Sequence, residues 1–160
     1  MALRVAIIGC GYIAGFADDT GKRPQIFTHA KALSLSKKCK LVACCDNDTR
    51  QLKKFSKRWG IKKIYTDIDE MLSNNKIDIV TIASPSNKHF EHIHKSTKYK
   101  IKAIFCEKPL THEIKTSKEI IKICKEKNIK LAVNFMRRWD QFFGEVKQVI
   151  QSEKLGKIDT

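Results

Sequence analysis

The sequence has no apolar run long enough to cross a membrane. No apolar run approaches the 18 residues that a membrane-spanning helix needs. The apolar stretch before Cys10, residues 5–8, is too short for a signal peptide. No repeat, low-complexity segment or linker divides the chain. These absences predict a cytoplasmic protein with no membrane partner.

The six cysteines form no Cys-x-x-Cys pair. Cys44 and Cys45 are adjacent within an apolar run, and Cys10 and Cys106 lie in or beside other such runs. This placement is typical of small buried residues in a reducing compartment, and not of a disulfide framework or a zinc site.

The histidines give no metal-binding spacing. On a helix His89 and His92 would share a face that His94 does not join, and no carboxylate or cysteine stands at ligand spacing. We therefore predict no metal site.

Arginine is scarce among the basic residues. The chain has 6 Arg and 26 Lys against 17 acidic residues, a formal net charge of +15. Such a charge could attract nucleic acid, an anionic membrane or an anionic small molecule. Nucleic-acid recognition favours arginine, and the lysines here are scattered and alternate with apolar residues. We expect a solvated lysine-rich surface and no nucleic-acid partner.

Short apolar runs alternate with helical patterns over the whole chain. With 160 residues, of which 42% are hydrophobic, the chain can form one domain with a real core. The alternation predicts an α/β fold with a doubly wound parallel sheet. Strands are predicted over residues 3–8, 41–45, 64–65, 77–83, 101–106 and 131–135. Five helices are predicted. One runs to Trp59 with Asp48 or Thr49 as the cap and Gly60 as the stop, and one runs to about Lys98 with Ser86 or Asn87 as the cap. The others are predicted over 67–73, over 113–127 with Thr111 as the cap, and over about 142–152.

A glycine-rich loop follows the first predicted strand and opens a helix. Its G-x-G-x-x-A pattern suits the pyrophosphate of a dinucleotide. The first glycine permits a tight turn, the second lets the backbone approach the phosphates, and the alanine allows close packing. The predicted phosphate-binding residues, followed by the packing alanine, are Gly9, Cys10, Gly11, Tyr12, Ile13 and Ala14.

An acidic residue, Asp46, ends the second predicted strand and is followed by Asn47. A carboxylate there accepts hydrogen bonds from the ribose hydroxyls and repels a 2′-phosphate, which favours NAD over NADP. Arg50 and the pair Lys53-Lys54 lie just downstream and could hold a 2′-phosphate instead, so NADP stays possible.

The interval from the glycine loop to Asp46 is longer than the usual spacing of about 20 residues. The excess falls around residues 18–25. We expect an inserted loop there that breaks the first helix, with a helical restart near residues 27–35.

Polar residues also follow the fourth, fifth and sixth predicted strands. The three stretches are Ser84-Pro85-Ser86-Asn87-Lys88-His89, Glu107-Lys108-Pro109 and Asn134-Phe135-Met136-Arg137-Arg138-Trp139. With the glycine loop they resemble the Gfo/Idh/MocA family of NAD(P)-dependent oxidoreductases, and Glu-Lys-Pro is the most specific of these motifs. The resemblance extends over essentially the whole chain but only over the N-terminal half of the family.

The resemblance implies a Rossmann domain over residues 1–152 that binds NAD(P), with residues 153–160 starting an absent C-terminal substrate and oligomerisation domain. It implies hydride transfer between NAD(P) and a sugar, cyclitol or nucleotide-sugar hydroxyl or ketone, in a homo-oligomer. The 160-residue chain alone should be inactive, because the family's general acid/base comes from the C-terminal domain. The alternative is a non-catalytic NAD(P)-binding sensor or scaffold.

The resemblance also assigns roles to individual residues. Lys108 lies at the nicotinamide and substrate and is the predicted catalytic residue, because an ammonium there can polarise the reacting oxygen. Glu107 orients Lys108 or holds the nicotinamide ribose. His89 either helps to close the dinucleotide site or bonds to backbone as an ordinary histidine at a helix start. The remaining predicted cofactor contacts are Ser84, Pro85, Asn134 and Arg138.

Overall fold

The computed structural model describes residues 2–20, 26–152 and 156. In this part of the chain a parallel sheet has the strand order β3-β2-β1-β4-β5-β6, which confirms the predicted doubly wound α/β fold. The strands are β1 (Leu3–Ile8), β2 (Cys39–Cys45), β3 (Lys63–Tyr65), β4 (Ile79–Ile82), β5 (Ala103–Glu107) and β6 (Lys130–Asn134). The helices are α1 (Tyr12–Gly15), α2 (His29–Leu35), α3 (Thr49–Trp59), α4 (Ile68–Ser73), α5 (His89–Ser96), α6 (Ile114–Glu126) and α7 (Gln141–Gln151). Short 3₁₀ helices span Ala17–Thr20, Ser86–Lys88 and Met136–Trp139.

The strand order reverses at β1. Ile8, the last residue of β1, pairs with Cys45 of β2 on one side and with Ile82 of β4 on the other. In doubly wound sheets the crevice for a ligand opens at such a reversal, at the carboxyl ends of the strands. The glycine loop, which follows Ile8 directly, therefore lies in the crevice.

Apolar side chains fill both faces of the sheet, as continuous apolar strands predict. On one face Ile82, Ile93 and Ile120 belong to a core shared by β4, α5 and α6. On the other face Ile7 packs in a second core with Phe55 of α3. The two cores hold the strand ends rigidly, because close-packed interiors deform little.

Local capping explains where several helices begin and end. The Asp48 carboxylate accepts from the backbone N–H of Arg50 and caps α3, and Gly60 ends that helix with φ +65°. The prediction that Thr111 caps the helix over residues 113–127 is wrong. Its hydroxyl instead donates to the Glu113 carbonyl (2.8 Å), and α6 begins at Ile114 without a side-chain cap.

A single helix from Ser86 or Asn87 to about Lys98 is also not what forms. The segment divides into the 3₁₀ helix Ser86–Lys88 and α5, which ends at Ser96. The division places His89 at the start of α5, directly after the tighter turn.

All six cysteines are free, and only Cys39 is not fully buried. Burial, aided by nearby carboxylates, raises the pKa of both Cys45 and Cys106 to about 12. These thiols are therefore protonated at neutral pH and act as small apolar side chains, as the sequence predicts. No helix within the described ranges has both the length and the apolar character needed to cross a membrane.

Candidate dinucleotide site

The two glycines of the loop have different structural roles. Gly9 has φ +88°, and a Cβ on it would overlap the backbone nitrogen of Ser84 and come within 2.7 Å of the Ala83 carbonyl carbon. Gly9 therefore lets the loop lie directly against the end of β4. Around Gly11, by contrast, no atom comes within 4 Å of the position a Cβ would take. Gly11 leaves open space at the start of α1, where a phosphate group could approach the backbone.

The helix after the loop is a single turn that packs closely on α3. Ala14 is fully buried, as predicted for the alanine of the motif. A Cβ on Gly15 would overlap the Trp59 indole and lie 2.6 Å from Cε2 of Phe55, and the Trp59 indole N–H donates to the Gly15 carbonyl (3.2 Å). The sequence did not single out Gly15, although it directly follows the motif. Residues 21–25 of the predicted insertion lie outside the described residues.

Asp46 ties the end of β2 to the glycine loop. Its carboxylate accepts from the backbone N–H of Cys10 (2.7 Å) and from that of Asp48 (2.9 Å). The amide of Gln51 donates to the Cys10 carbonyl (2.7 Å), so the Cys10 residue is held at both its N–H and its carbonyl. Gln51 was missed by sequence reasoning, because a glutamine three residues after a helix cap is expected to bond back to that cap, whereas here its amide reaches the glycine loop.

A cavity of about 420 Å³ opens between the ends of β2 and β4. Asp46 and Asn47 line one wall, Ser84 and Pro85 line another, and Gly9 lies between them. This volume is within the range of about 300–1,000 Å³ that is usual for small-molecule sites. The arrangement fits the adenosine half of a dinucleotide, since Asp46 stands where a ribose would lie beside the glycine loop.

The basic groups near this cavity are already engaged. Lys88 and Lys95 line it, and both pair with Glu91, at 3.2 Å and 3.4 Å. Of the residues considered as holders of a 2′-phosphate, Lys54 lies over the Phe16 ring, 4.9 Å from its centroid. The Glu91 carboxylate therefore offsets part of the positive charge of Lys88 and Lys95 at this cavity.

His89 lies beneath the crevice rather than in it. The imidazole is 1% exposed, with Nε2 3.0 Å from the Ser84 carbonyl oxygen and Nδ1 2.7 Å from that of Pro109. The Ser84 hydroxyl lies 2.9 Å from Nδ1 of His92, and burial lowers the pKa of His92. The two histidines thus fix the loop that carries Ser84 and Pro85.

Glu107 ends β5 in a buried hydrogen-bonded cluster. Its Oε1 accepts from His29 Nε2 (2.8 Å) and from the Asn134 amide (2.6 Å), and the residue is only 8% exposed. Burial opposes ionisation, but the hydrogen bonds from His29 and Asn134 stabilise the carboxylate and hold the pKa of Glu107 below its usual range. The next residue, Lys108, is exposed at the carboxyl edge of the sheet, and its peptide bond to Pro109 is cis.

The structure thus brings Glu107, Lys108 and Asn134 together, and it joins Asp46 to the glycine loop. It leaves Arg138 exposed in the 3₁₀ helix after β6, while the neighbouring Arg137 guanidinium lies 5.4 Å from the centroid of the Phe143 ring.

Within the described ranges no group of three or more His, Cys, Asp or Glu side chains is placed to hold a metal ion.

Comparison with known proteins identifies relatives of this chain. Residues 3–135 match the Gfo/Idh/MocA family, an oxidoreductase family with an NAD-binding Rossmann fold. The chain is 28% identical over 155 residues to myo-inositol 2-dehydrogenase of Thermotoga maritima, a match that covers 97% of this chain and 42% of the relative. Two crystal structures are similar over 99% of this chain and 43% of their own: myo-inositol 2-dehydrogenase of Lactobacillus plantarum (TM-score 0.82, 29% identity) and scyllo-inositol dehydrogenase of Lactobacillus casei with bound NAD(H) and scyllo-inositol (TM-score 0.81, 25% identity).

These matches confirm the resemblance to the Gfo/Idh/MocA family. The chain spans less than half the length of the relatives it matches. The matched region contains the glycine loop, Asp46 and the Glu107-Lys108-Pro109 segment. The chain belongs to the Gfo/Idh/MocA oxidoreductase family and contains that family's NAD-binding Rossmann fold.

Proposed function

We propose that this chain is the dinucleotide-binding part of a dehydrogenase that transfers a hydride between NAD and a hydroxyl or ketone of a sugar, cyclitol or nucleotide-sugar. The observation that carries the proposal is the placement of Lys108. Its ammonium group is exposed at the same edge of the sheet as the glycine loop, and the preceding Glu107 is fixed by buried hydrogen bonds. The named activities of the relatives, on inositols, support this substrate class.

Each part of the site has a task in this reaction. Bound NAD supplies the position that accepts or donates the hydride. The backbone at Gly11 and the start of α1 hold the pyrophosphate, and the Asp46 carboxylate accepts from the ribose hydroxyls. Lys108 donates a hydrogen bond to the reacting oxygen of the substrate, orients it and stabilises charge that develops on it.

We also propose that residues 1–152 form the nucleotide-binding domain and that residues 153–160 begin a second domain, which supplies the proton acceptor, most of the substrate contacts and the homo-oligomer interface. An exposed apolar surface supports this division. Trp139 is 74% exposed and Phe142 is 65% exposed, and Phe135 and several residues of α7 are also exposed. Apolar patches of this kind are usual where a partner surface packs.

A titration of the purified chain with NADH and NADPH, followed by nicotinamide fluorescence, tests the cofactor assignment. We expect NADH to bind and the 160-residue chain to turn over no substrate. The absence of any response to either cofactor up to millimolar concentration would contradict the proposal.

In an enzyme that also contains the second domain, Lys108→Ala should lower turnover far more than NADH affinity. Equal losses of turnover and NADH affinity would show that Lys108 does not act on the reacting oxygen of the substrate.

A further inference from the structure

The two neighbours of Lys108 in the chain are each held by a buried histidine. His29 donates to the Glu107 carboxylate over 2.8 Å, and His89 lies 2.7 Å from the Pro109 carbonyl oxygen. The two histidine residues are 7% and 1% exposed. Lys108 itself is exposed to solvent, whereas the residues immediately before and after it, Glu107 and Pro109, are held by these contacts.

The two histidines reach this segment from opposite faces of the sheet. His29 is the first residue of α2, and its ring packs edge to face with the Phe105 ring. Phe105 lies two residues before Glu107, so both side chains are on the same face of β5. Cys106, whose side chain points to the other face, packs in the core that contains Ile93 of α5, the helix that His89 opens. The segment is therefore held from both sides, which restricts both its rotation and its displacement.

His29 is itself anchored through the segment that lengthens this chain before α2. Thr28 caps α2, and its hydroxyl bonds to the Asp18 carboxylate. Asp18 also accepts from the backbone N–H of Phe27 (2.7 Å). These contacts link the 3₁₀ helix after α1 to the start of α2, and they fix the residue that bonds to Glu107.

We propose that His29 and His89 are positioning residues that fix Lys108 at the nicotinamide end of the crevice, by holding the residues on either side of it. The inference rests on the proposed function, in which Lys108 acts at the nicotinamide. A lysine side chain has a flexible four-carbon stem, so the position of its ammonium group depends on how firmly the backbone beneath it is held. Neither histidine touches the cofactor in this arrangement.

The test compares NADH with ADP-ribose, which lacks the nicotinamide, by calorimetric titration of the full chain. In His29→Phe the ring volume stays but the donor to Glu107 is lost, and in His29→Gln an amide donor remains. We expect His29→Phe to weaken NADH binding about tenfold, because the Glu107-Lys108 backbone that borders the nicotinamide is then held from one side only, whereas Lys108→Ala leaves that backbone in place. ADP-ribose affinity should stay within about twofold, since the glycine loop and Asp46 are intact, and His29→Gln should recover most of the NADH affinity.

His94→Gln is the matched control. The His94 ring lies on the same helix as His89 but stacks on Phe90, away from Glu107 and Pro109. It should leave both affinities unchanged. Equal losses for NADH and ADP-ribose in His29→Phe, or no loss in a folded variant, would overturn the proposal. If His29→Phe does not fold, Glu107→Gln changes the other partner of the His29–Glu107 hydrogen bond. We expect this variant also to lose about tenfold in NADH affinity and no more than about twofold in ADP-ribose affinity. A wild-type chain that binds ADP-ribose but not NADH would instead refute the proposed function.

Discussion

Replacing Gly9 by alanine should lower the free energy of unfolding of the domain, and the geometry around Gly9 gives the size of the effect. The residue has φ +88°, a conformation that costs an L-amino acid about 1–2 kcal/mol. The new Cβ would also lie 2.5 Å from the Ser84 Cα, so the loop must move away from β4, and such overpacking costs about 1–3 kcal/mol. Gly9→Ala should therefore lower the free energy of unfolding by about 2–5 kcal/mol.

Gly11→Ala is the matched control within the same loop. Gly11 has φ −78°, and no atom lies within 4 Å of its would-be Cβ, so its replacement should change stability by less than about 1 kcal/mol. The added methyl group would, however, occupy the space through which a pyrophosphate approaches the backbone. We expect Gly11→Ala to weaken NADH binding at nearly unchanged stability.

Thermal unfolding followed by circular dichroism measures the first effect, and NADH titration measures the second. For a chain of this length 1 kcal/mol corresponds to about 2–4 °C in Tm, so Gly9→Ala should lower Tm by at least about 4 °C. Equal Tm values for the two variants would refute the close approach of Gly9 to β4. A Gly11→Ala chain that binds NADH as tightly as wild type would refute the phosphate approach at that position.

Three further predictions concern other parts of the site. Asp46→Ser removes the carboxylate that repels a 2′-phosphate, so the NADPH affinity measured by fluorescence should rise relative to that of NADH; an unchanged ratio would remove Asp46 from this role. Gly15→Ala would push a methyl group into Trp59, and denaturant unfolding should show a loss of about 1–3 kcal/mol, whereas no loss would mean that the helix contact is loose. Because the folded-state pKa of Glu107 is lowered, its stabilising contribution is present above the unfolded value of about 4.3 and is lost as pH falls through the folded-state pKa. Glu107→Gln should abolish that part of the acid dependence, and identical acid-unfolding curves for the two proteins would contradict it.

The sequence by itself determined the fold class and the places of the motifs along the sheet. The alternation of strands and helices follows from periodicity, which depends on neighbouring residues. The glycine loop, Asp46 and the Glu107-Lys108-Pro109 segment are short motifs at predicted strand ends, and the structure places each at the carboxyl edge of the sheet; the role of Lys108 came only from the family resemblance. The stop at Gly60 is also a local signal and is confirmed, and of the two candidate caps, Asp48 and Thr49, the structure shows that Asp48 caps α3.

Tertiary structure alone decided how these elements are held. The hydrogen bond between His29 and Glu107 joins residues 78 apart in sequence, and that between Gln51 and Cys10 joins residues 41 apart. No local pattern encodes such pairs, because they form only when the sheet brings the carboxyl ends of separate strands to one edge. For the same reason the sequence left two interpretations of His89 open, and the two backbone carbonyls that face its ring nitrogens became visible only in the folded chain.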